Sequence, residues 1–265
     1  MKMCSIASGS SGNCVYVGTE ATHLLVDVGI SCKRIVEGLQ QLSLTGRDID
    51  GILITHEHSD HINGLGVMSR KFGIPIYATA GTIREIKKSS SLGKVEEELF
   101  HEVSADEKLT IKDITVNPMR ISHDAAQPVA YRFQYGSSRM AVVTDLGTYD
   151  EYIVESLQGM NALMLEANHD VNMLQVGPYP YYLKQRILGN RGHLSNELSG
   201  RLLSRLLNDK LQSVCLGHLS KENNLAELAY ETVRLEIAMG DNGYKPDDFN
   251  IFVANRSELS QMVEI

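Results

Sequence analysis

Thr55-His56-Glu57-His58-Ser59-Asp60-His61 carries the pattern His-x-His-x-Asp-His within six consecutive residues. The run before it, Gly51-Ile52-Leu53-Ile54, is apolar and reads as a buried strand. The run after it has Ile62, Leu65, Met68 and Phe72 at helix-like spacing. The heptad therefore sits where a strand ends and a helix begins. Residues two apart in an extended chain point to the same side, so His56 and His58 can face one point above the strand end. The chain then turns, and Asp60 and His61 project toward a second point nearby.

Imidazole and carboxylate are ligands for zinc, manganese or iron, and the heptad offers no thiolate. A single histidine in a polar loop would more often be a solvated side chain. The complete pattern, directly after an apolar strand, points instead to a metal site, with two ions rather than one.

The heptad resembles the metal-binding motif of the metallo-β-lactamase superfamily of hydrolases. Other segments match in chain order. Leu24-Leu25-Val26-Asp27-Val28-Gly29 resembles the early strand whose aspartate supports the site. His123 resembles the isolated third-motif histidine, Thr144-Asp145 the bridging aspartate, and Leu216-Gly217-His218-Leu219-Ser220 the final histidine. Ser8-Gly9-Ser10-Ser11-Gly12-Asn13, Glu166-Ala167-Asn168-His169-Asp170 and Gly192-His193-Leu194-Ser195-Asn196 narrow the resemblance to the YycJ/WalJ group, compact relatives of ribonuclease Z.

The resemblance covers essentially the whole chain and implies fold class α/β (α+β), a four-layer αββα sandwich. It implies one hydrolase domain over 1–265 without a clamp-domain insertion, since only 72 residues separate Asp145 from His218. It further implies two divalent metal ions, zinc or manganese, with iron a third candidate. His56, His58 and His123 would hold one ion, Asp60, His61 and His218 the other, and Asp145 would bridge both. Asp60 and His193 carry the catalytic expectation: Asp60 orients the nucleophile, and His193 assists the transition state or leaving group. His193 just before a helix is also consistent with a capping-region residue. Asp27, Asn13, Ser11 and His169 are candidates for supporting or substrate-side roles, that of His169 being the most open.

The implied activity is that of a phosphodiesterase, a 5′-to-3′ exonuclease on DNA with RNA left open, using a hydroxide shared by the two ions. The alternative is a carbon-ester hydrolase acting on a thioester, lactone or β-lactam at the same metal pair. A binding protein with a degenerate site is disfavoured because no ligand position is missing. No long arm of the kind that grips transfer RNA is evident.

Bulk properties limit these readings. The 265 residues are 43% hydrophobic, enough for a sizeable core. No apolar run approaches the ~20 residues of a membrane helix, and the N-terminus lacks a secretory signal pattern. Cys4, Cys14, Cys32 and Cys215 form no Cys-x-x-Cys and fit a reduced, cytoplasmic protein. The net charge of −8 argues against a general basic surface that coats DNA. It leaves room for a nuclease whose metal ions supply positive charge locally. The expected partner is a single-stranded nucleic acid end, with no membrane and no obligate protein partner.

Elsewhere, the loop from Ser8 to Asn13 reads equally as an anion cradle or a plain hairpin connection. Ser31 to Leu42 reads as an amphipathic helix, Val95 to Val103 as a strand, and Ser195 as the N-cap of a helix running to Asn208. Asp170 to Gly192 has no clear period. Its Tyr179, Tyr181 and Tyr182 beside Lys184, Arg186 and Arg191 suit stacking on single strands or packing beneath a loop. His23 and His101 read as structural.

Overall fold

Short apolar runs that end in a polar residue recur along the chain, and in the computed structural model, which describes residues 1–265, nearly all of them are strands. Residues group into two compact units. The first contains Met1–Arg120, Ala125–Ser137 and Asn255–Glu264; the second contains Ile121–Asp124 and Ser138–Ala254 together with Ile265.

In the first unit, strands β1 (Lys2–Ala7), β2 (Cys14–Gly18), β3 (His23–Val26), β4 (Gly51–Leu53), β5 (Ile76–Ala78), β6 (Phe100–Glu102) and the last strand, β14 (Val263–Glu264), form one sheet. Its order is β14-β1-β2-β3-β4-β5-β6. Strands β3 to β6 run parallel. Parallel neighbours need crossovers, which helices supply here. Helix α1 (Cys32–Gln41) links β3 to β4. Helices α2 (Ser59–Ile62) and α3 (Leu65–Phe72) link β4 to β5, and α4 (Ala80–Lys88) follows β5.

The helix signals have visible causes. Ser31 caps α1 by accepting from the Arg34 amide, and Ile35 and Leu39 bury its apolar face. Gly73 ends α3 in the left-handed region at φ 65°, where a Cβ is costly. Strands β7 (Leu109–Ile111), β8 (Ile114–Arg120) and β9 (Val129–Tyr135) pair antiparallel within the same unit. Tyr131 on β9 is fully buried and donates its hydroxyl to the Ile54 carbonyl at 2.8 Å, tying the heptad strand down.

The second unit is built on four parallel strands, β10 (Ser138–Val143), β11 (Ala162–Glu166), β12 (Ser213–Gly217) and β13 (Asn250–Val253). The two central strands, β11 and β12, are buried throughout, as strands covered on both faces are. Helices α5 (Glu151–Leu157), α6 (Val171–Val176), α7 (Tyr181–Leu188), α8 (Asn196–Leu206) and α9 (Ala226–Met239) connect them.

Four elements differ from the sequence expectation. The helix after the heptad is two helices, broken at Asn63 and Gly64, where a Cβ on Gly64 would meet the Ile30 carbonyl oxygen at 2.3 Å and the Val28 one at 2.9 Å. The Val95–Val103 strand is only Phe100–Glu102, preceded by a 3-10 turn over Glu97–Leu99. The stretch 170–192 holds two helices separated by Gly177, Pro178 and Pro180, with only Leu174 buried between them to mark a period. The short β14, only two residues long, lies below what periodicity can reveal. All four cysteines are buried and free. No helix is long and apolar enough to cross a membrane.

Candidate metal centre

In both units the polar residues follow the carboxyl ends of strands, where open α/β sheets hold their ligands. Three of them adopt left-handed backbone: Asp27 after β3 at φ 58°, Asp145 after β10 at φ 58°, and His218 after β12 at φ 57°. Such a conformation costs of order 1–3 kcal/mol for a residue with a side chain and persists where surrounding structure enforces it. Here the enforced turn lifts each side chain off the strand end.

In the first unit the heptad loop is pinned by its backbone. The Asn13 amide donates to the Asp60 carbonyl, the Val28 amide to His61, and the Gly29 amide to Asn13, each at 2.8 Å. A Cβ on Gly29 would lie 1.6 Å from the Asp60 carbonyl oxygen, so only glycine fits there. Within this frame His56 and His61 are fully buried and their rings lie 4.2 Å apart; His56 and His58 are 4.5 Å apart, edge to face. Asp60 reaches His61 Nε2 at 3.4 Å.

Asp27 organises this cluster. Its buried carboxylate accepts from the Thr55 amide at 2.8 Å, the Thr55 hydroxyl at 2.8 Å and His61 Nδ1 at 2.7 Å. A proton held on Nδ1 leaves the Nε2 lone pair of His61 for an ion. Asn13 is buried as well. Its Oδ1 accepts from the Gly9 amide, and its Nδ2 lies 3.2 Å from that same Nε2. The amides of Gly9, Gly12 and Asn13 are all spent on internal partners, so they do not cradle an anion. Ser11 sits on the exposed turn of this loop.

In the second unit His123, Asp145, His193 and His218 converge. Asp145 Oδ1 is 3.5 Å from His218 Nε2, 3.7 Å from His123 Nε2 and 3.6 Å from His193 Nδ1. His123 Nδ1 faces the Gly192 carbonyl at 3.1 Å, which again turns its Nε2 outward. Two donors on one tetrahedral ion with bonds of about 2.1 Å stand roughly 3.4 Å apart, so the Asp145–His218 and Asp145–His123 spacings fit shared ligation of a small divalent cation.

Sequence reasoning did not assign a role to Glu166, which proves central. It ends β11, is fully buried, and accepts four hydrogen bonds. His193 Nδ1 at 2.8 Å and His218 Nδ1 at 2.9 Å meet Oε1; the amides of Leu146 at 2.8 Å and Leu194 at 3.1 Å meet Oε2. Burial pushes its carboxyl pKa up, but the His193 and His218 imidazoles outweigh that and hold it at about 2. A strand-end carboxylate in the matching segment Glu166 to Asp170 was the available signal. Asn168 adds a further brace, donating from Nδ2 to the His218 carbonyl at 2.9 Å.

The His193 and His218 rings stack 5.3 Å apart, and His193 is half-buried, so its far nitrogen can meet a substrate. Ser195 caps α8 as expected, accepting from the Leu198 amide. His169 is 1% exposed and neither ring nitrogen has a hydrogen-bond partner. Burial lowers its pKa to about 4, so it stays neutral near pH 7. His23 bonds the Tyr16 hydroxyl, and His101 stacks on Tyr77.

The donor chemistry of each cluster therefore fits metal, with carboxylate or carbonyl oxygens fixing the imidazole tautomers. A model of the β-lactamase superfamily domain matches residues 22–214. Exodeoxyribonuclease WalJ of Streptococcus pneumoniae is 40% identical over 260 residues, covering 98% of this chain and 96% of its own. Exodeoxyribonuclease YycJ of Bacillus anthracis is 40% identical over 228 residues, covering 86% of each. The metallo-β-lactamase fold protein YhfI from Bacillus subtilis superimposes with a TM-score of 0.72 at 17% identity, over 98% of both chains. The α/β fold class and the resemblance drawn from the motifs both hold. The chain belongs to the metallo-β-lactamase superfamily of hydrolases, in the WalJ/YycJ group.

Proposed function

We propose that the protein is a two-metal exodeoxyribonuclease that trims single-stranded DNA ends in the 5′-to-3′ direction, its whole length acting as one hydrolase domain. The observation that carries this reading is the Glu166 carboxylate shared by His218 and His193, in a chain whose near full-length relatives are exodeoxyribonucleases. That pairing joins a metal-ligand candidate to a proton donor.

His56, His58 and His123 are assigned to one ion, Asp60, His61 and His218 to the other, with Asp145 shared. Zinc and manganese suit these nitrogen and oxygen donors, with iron as a third choice. Bound there, two such ions would lower the pKa of a water toward neutrality and neutralise phosphoryl oxygens. Asp60, one-quarter exposed, accepts a proton from the attacking water and aims it at phosphorus. His193, its Nδ1 proton held by Glu166, donates from Nε2 to the departing alkoxide as the P–O bond breaks. Such general-acid help is typically worth 10²–10⁴-fold. Asp27 and Asn13 position His61, while Ser11 is assigned to the substrate side and the buried His169 to a supporting role. The free, buried cysteines suit a reducing cytoplasm.

The test is a substrate panel on metal-loaded protein: 5′- and 3′-labelled single-stranded DNA and RNA against a thioester, a lactone and a β-lactam. Mononucleotide release from the 5′ label of DNA supports the proposal. Carbon-ester turnover with untouched nucleic acid rules it out.

A further inference from the structure

Helix α7 has an unusual relation to its unit: none of its eight residues is buried. Tyr181 is 77% and Tyr182 74% exposed, and Val176, the last residue of α6, is 86% exposed. Burying one aromatic ring typically stabilises a fold, so two adjacent rings left in water on one short helix mark a surface with a use. The charge pattern is equally local. From 171 to 196 the chain has no aspartate or glutamate but carries Lys184, Arg186 and Arg191, although the protein as a whole has a net charge of −8.

The helix is tied to the candidate centre. Arg186 pairs with Asp124, the neighbour of His123, and Arg191 Nε donates to the His123 carbonyl at 3.0 Å. The His193 amide donates to the Ile187 carbonyl at 3.0 Å, so the segment leads from α7 directly into the proton-donor candidate. Tyr182 and Arg186 are four residues apart and share a helix face, about 6 Å along the axis.

We propose that Tyr181 and Tyr182 are a base-stacking platform for single-stranded DNA, which holds nucleotides next to the one being cleaved, on a helix that the Arg186–Asp124 pair anchors beside His123. This rests on the nuclease reading and adds a subsite to it. Ring–base stacking tolerates any sequence, because every base has a π-face.

Binding of a fluorescent single strand, followed by anisotropy, tests this apart from turnover. Tyr181→Ala and Tyr182→Ala are each expected to weaken binding roughly 5- to 150-fold. Tyr181→Phe and Tyr182→Phe should keep it, because the ring and not the hydroxyl stacks. Wild-type protein should bind an abasic strand of equal length as weakly as the double alanine variant binds the normal strand. Equal affinity for normal and abasic strands, or undiminished binding by the alanine variants, overturns the platform even where DNA is hydrolysed. Base-dependent binding without any strand hydrolysis overturns the nuclease reading and leaves the platform standing.

Discussion

Replacing Glu166 by glutamine keeps the volume of the side chain and removes its charge. The carboxylate meets two imidazole Nδ1 atoms on one oxygen and two backbone amides on the other. An amide side chain has one accepting oxygen, so one pair loses its acceptor. The backbone amides of Leu146 and Leu194 have no alternative tautomer and will claim the oxygen. The NH2 group of the substituted side chain would then face His218 and His193, forcing their Nδ1 atoms to accept and moving their protons to Nε2. For His218 this removes the lone pair that an ion needs. For His193 it removes the charge that stabilises the protonated ring during transfer. Loss of such a brace typically costs 10–100-fold in metal affinity, and loss of acid help about 10²–10⁴-fold in rate. Glu166→Gln should therefore show weakened metal binding by competition with a chromogenic chelator. Its kcat should fall by at least about two orders of magnitude when metal is saturating. Circular dichroism should remain native. A variant with native metal affinity and unchanged kcat would refute the shared-carboxylate account.

Asp145→Ala should lose bound metal together with activity, read by elemental analysis of the purified protein; full occupancy with normal turnover would contradict its bridging place. His193→Ala should keep its metal and lose about 10²–10⁴-fold in turnover, whereas metal loss would make His193 a ligand. His169 gives a pH prediction. Its folded pKa of about 4 lies below the ordinary 6.5, so the unfolded chain binds the extra proton between these values. Stability from this residue is present above pH 6.5 and is lost as pH falls toward 4, by about 3 kcal/mol in all. His169→Leu should flatten the fall in the urea midpoint between about pH 7 and 4.5 relative to wild type, and an unchanged pH slope would dismiss this origin.

The heptad was legible because its ligand types are chemically specific and its spacing follows backbone geometry. Asp27, Asp145 and His218 could be placed at strand ends because each closes an apolar run. Their left-handed backbone could not be read, since aspartate and histidine carry no glycine-like signal for positive φ. Glu166 escaped a role because a lone glutamate after an apolar strand looks like a solvated end until the fold brings His193 and His218 to it from 27 and 52 residues away. Helices α6 and α7 escaped because their surfaces carry no buried stripe to set a period: only Leu174 is buried among them. Ser195, by contrast, declared its cap locally, through contacts within three residues.

In the proposed function two divalent ions act together in hydrolysing DNA. Chelated protein titrated with manganese or zinc, with mononucleotide release from 5′-labelled single strands followed at each addition, addresses it directly. Activity should climb through the second equivalent of metal per chain and level there. A plateau reached at one equivalent, or strand cleavage that persists in the chelated protein, would contradict the two-metal account.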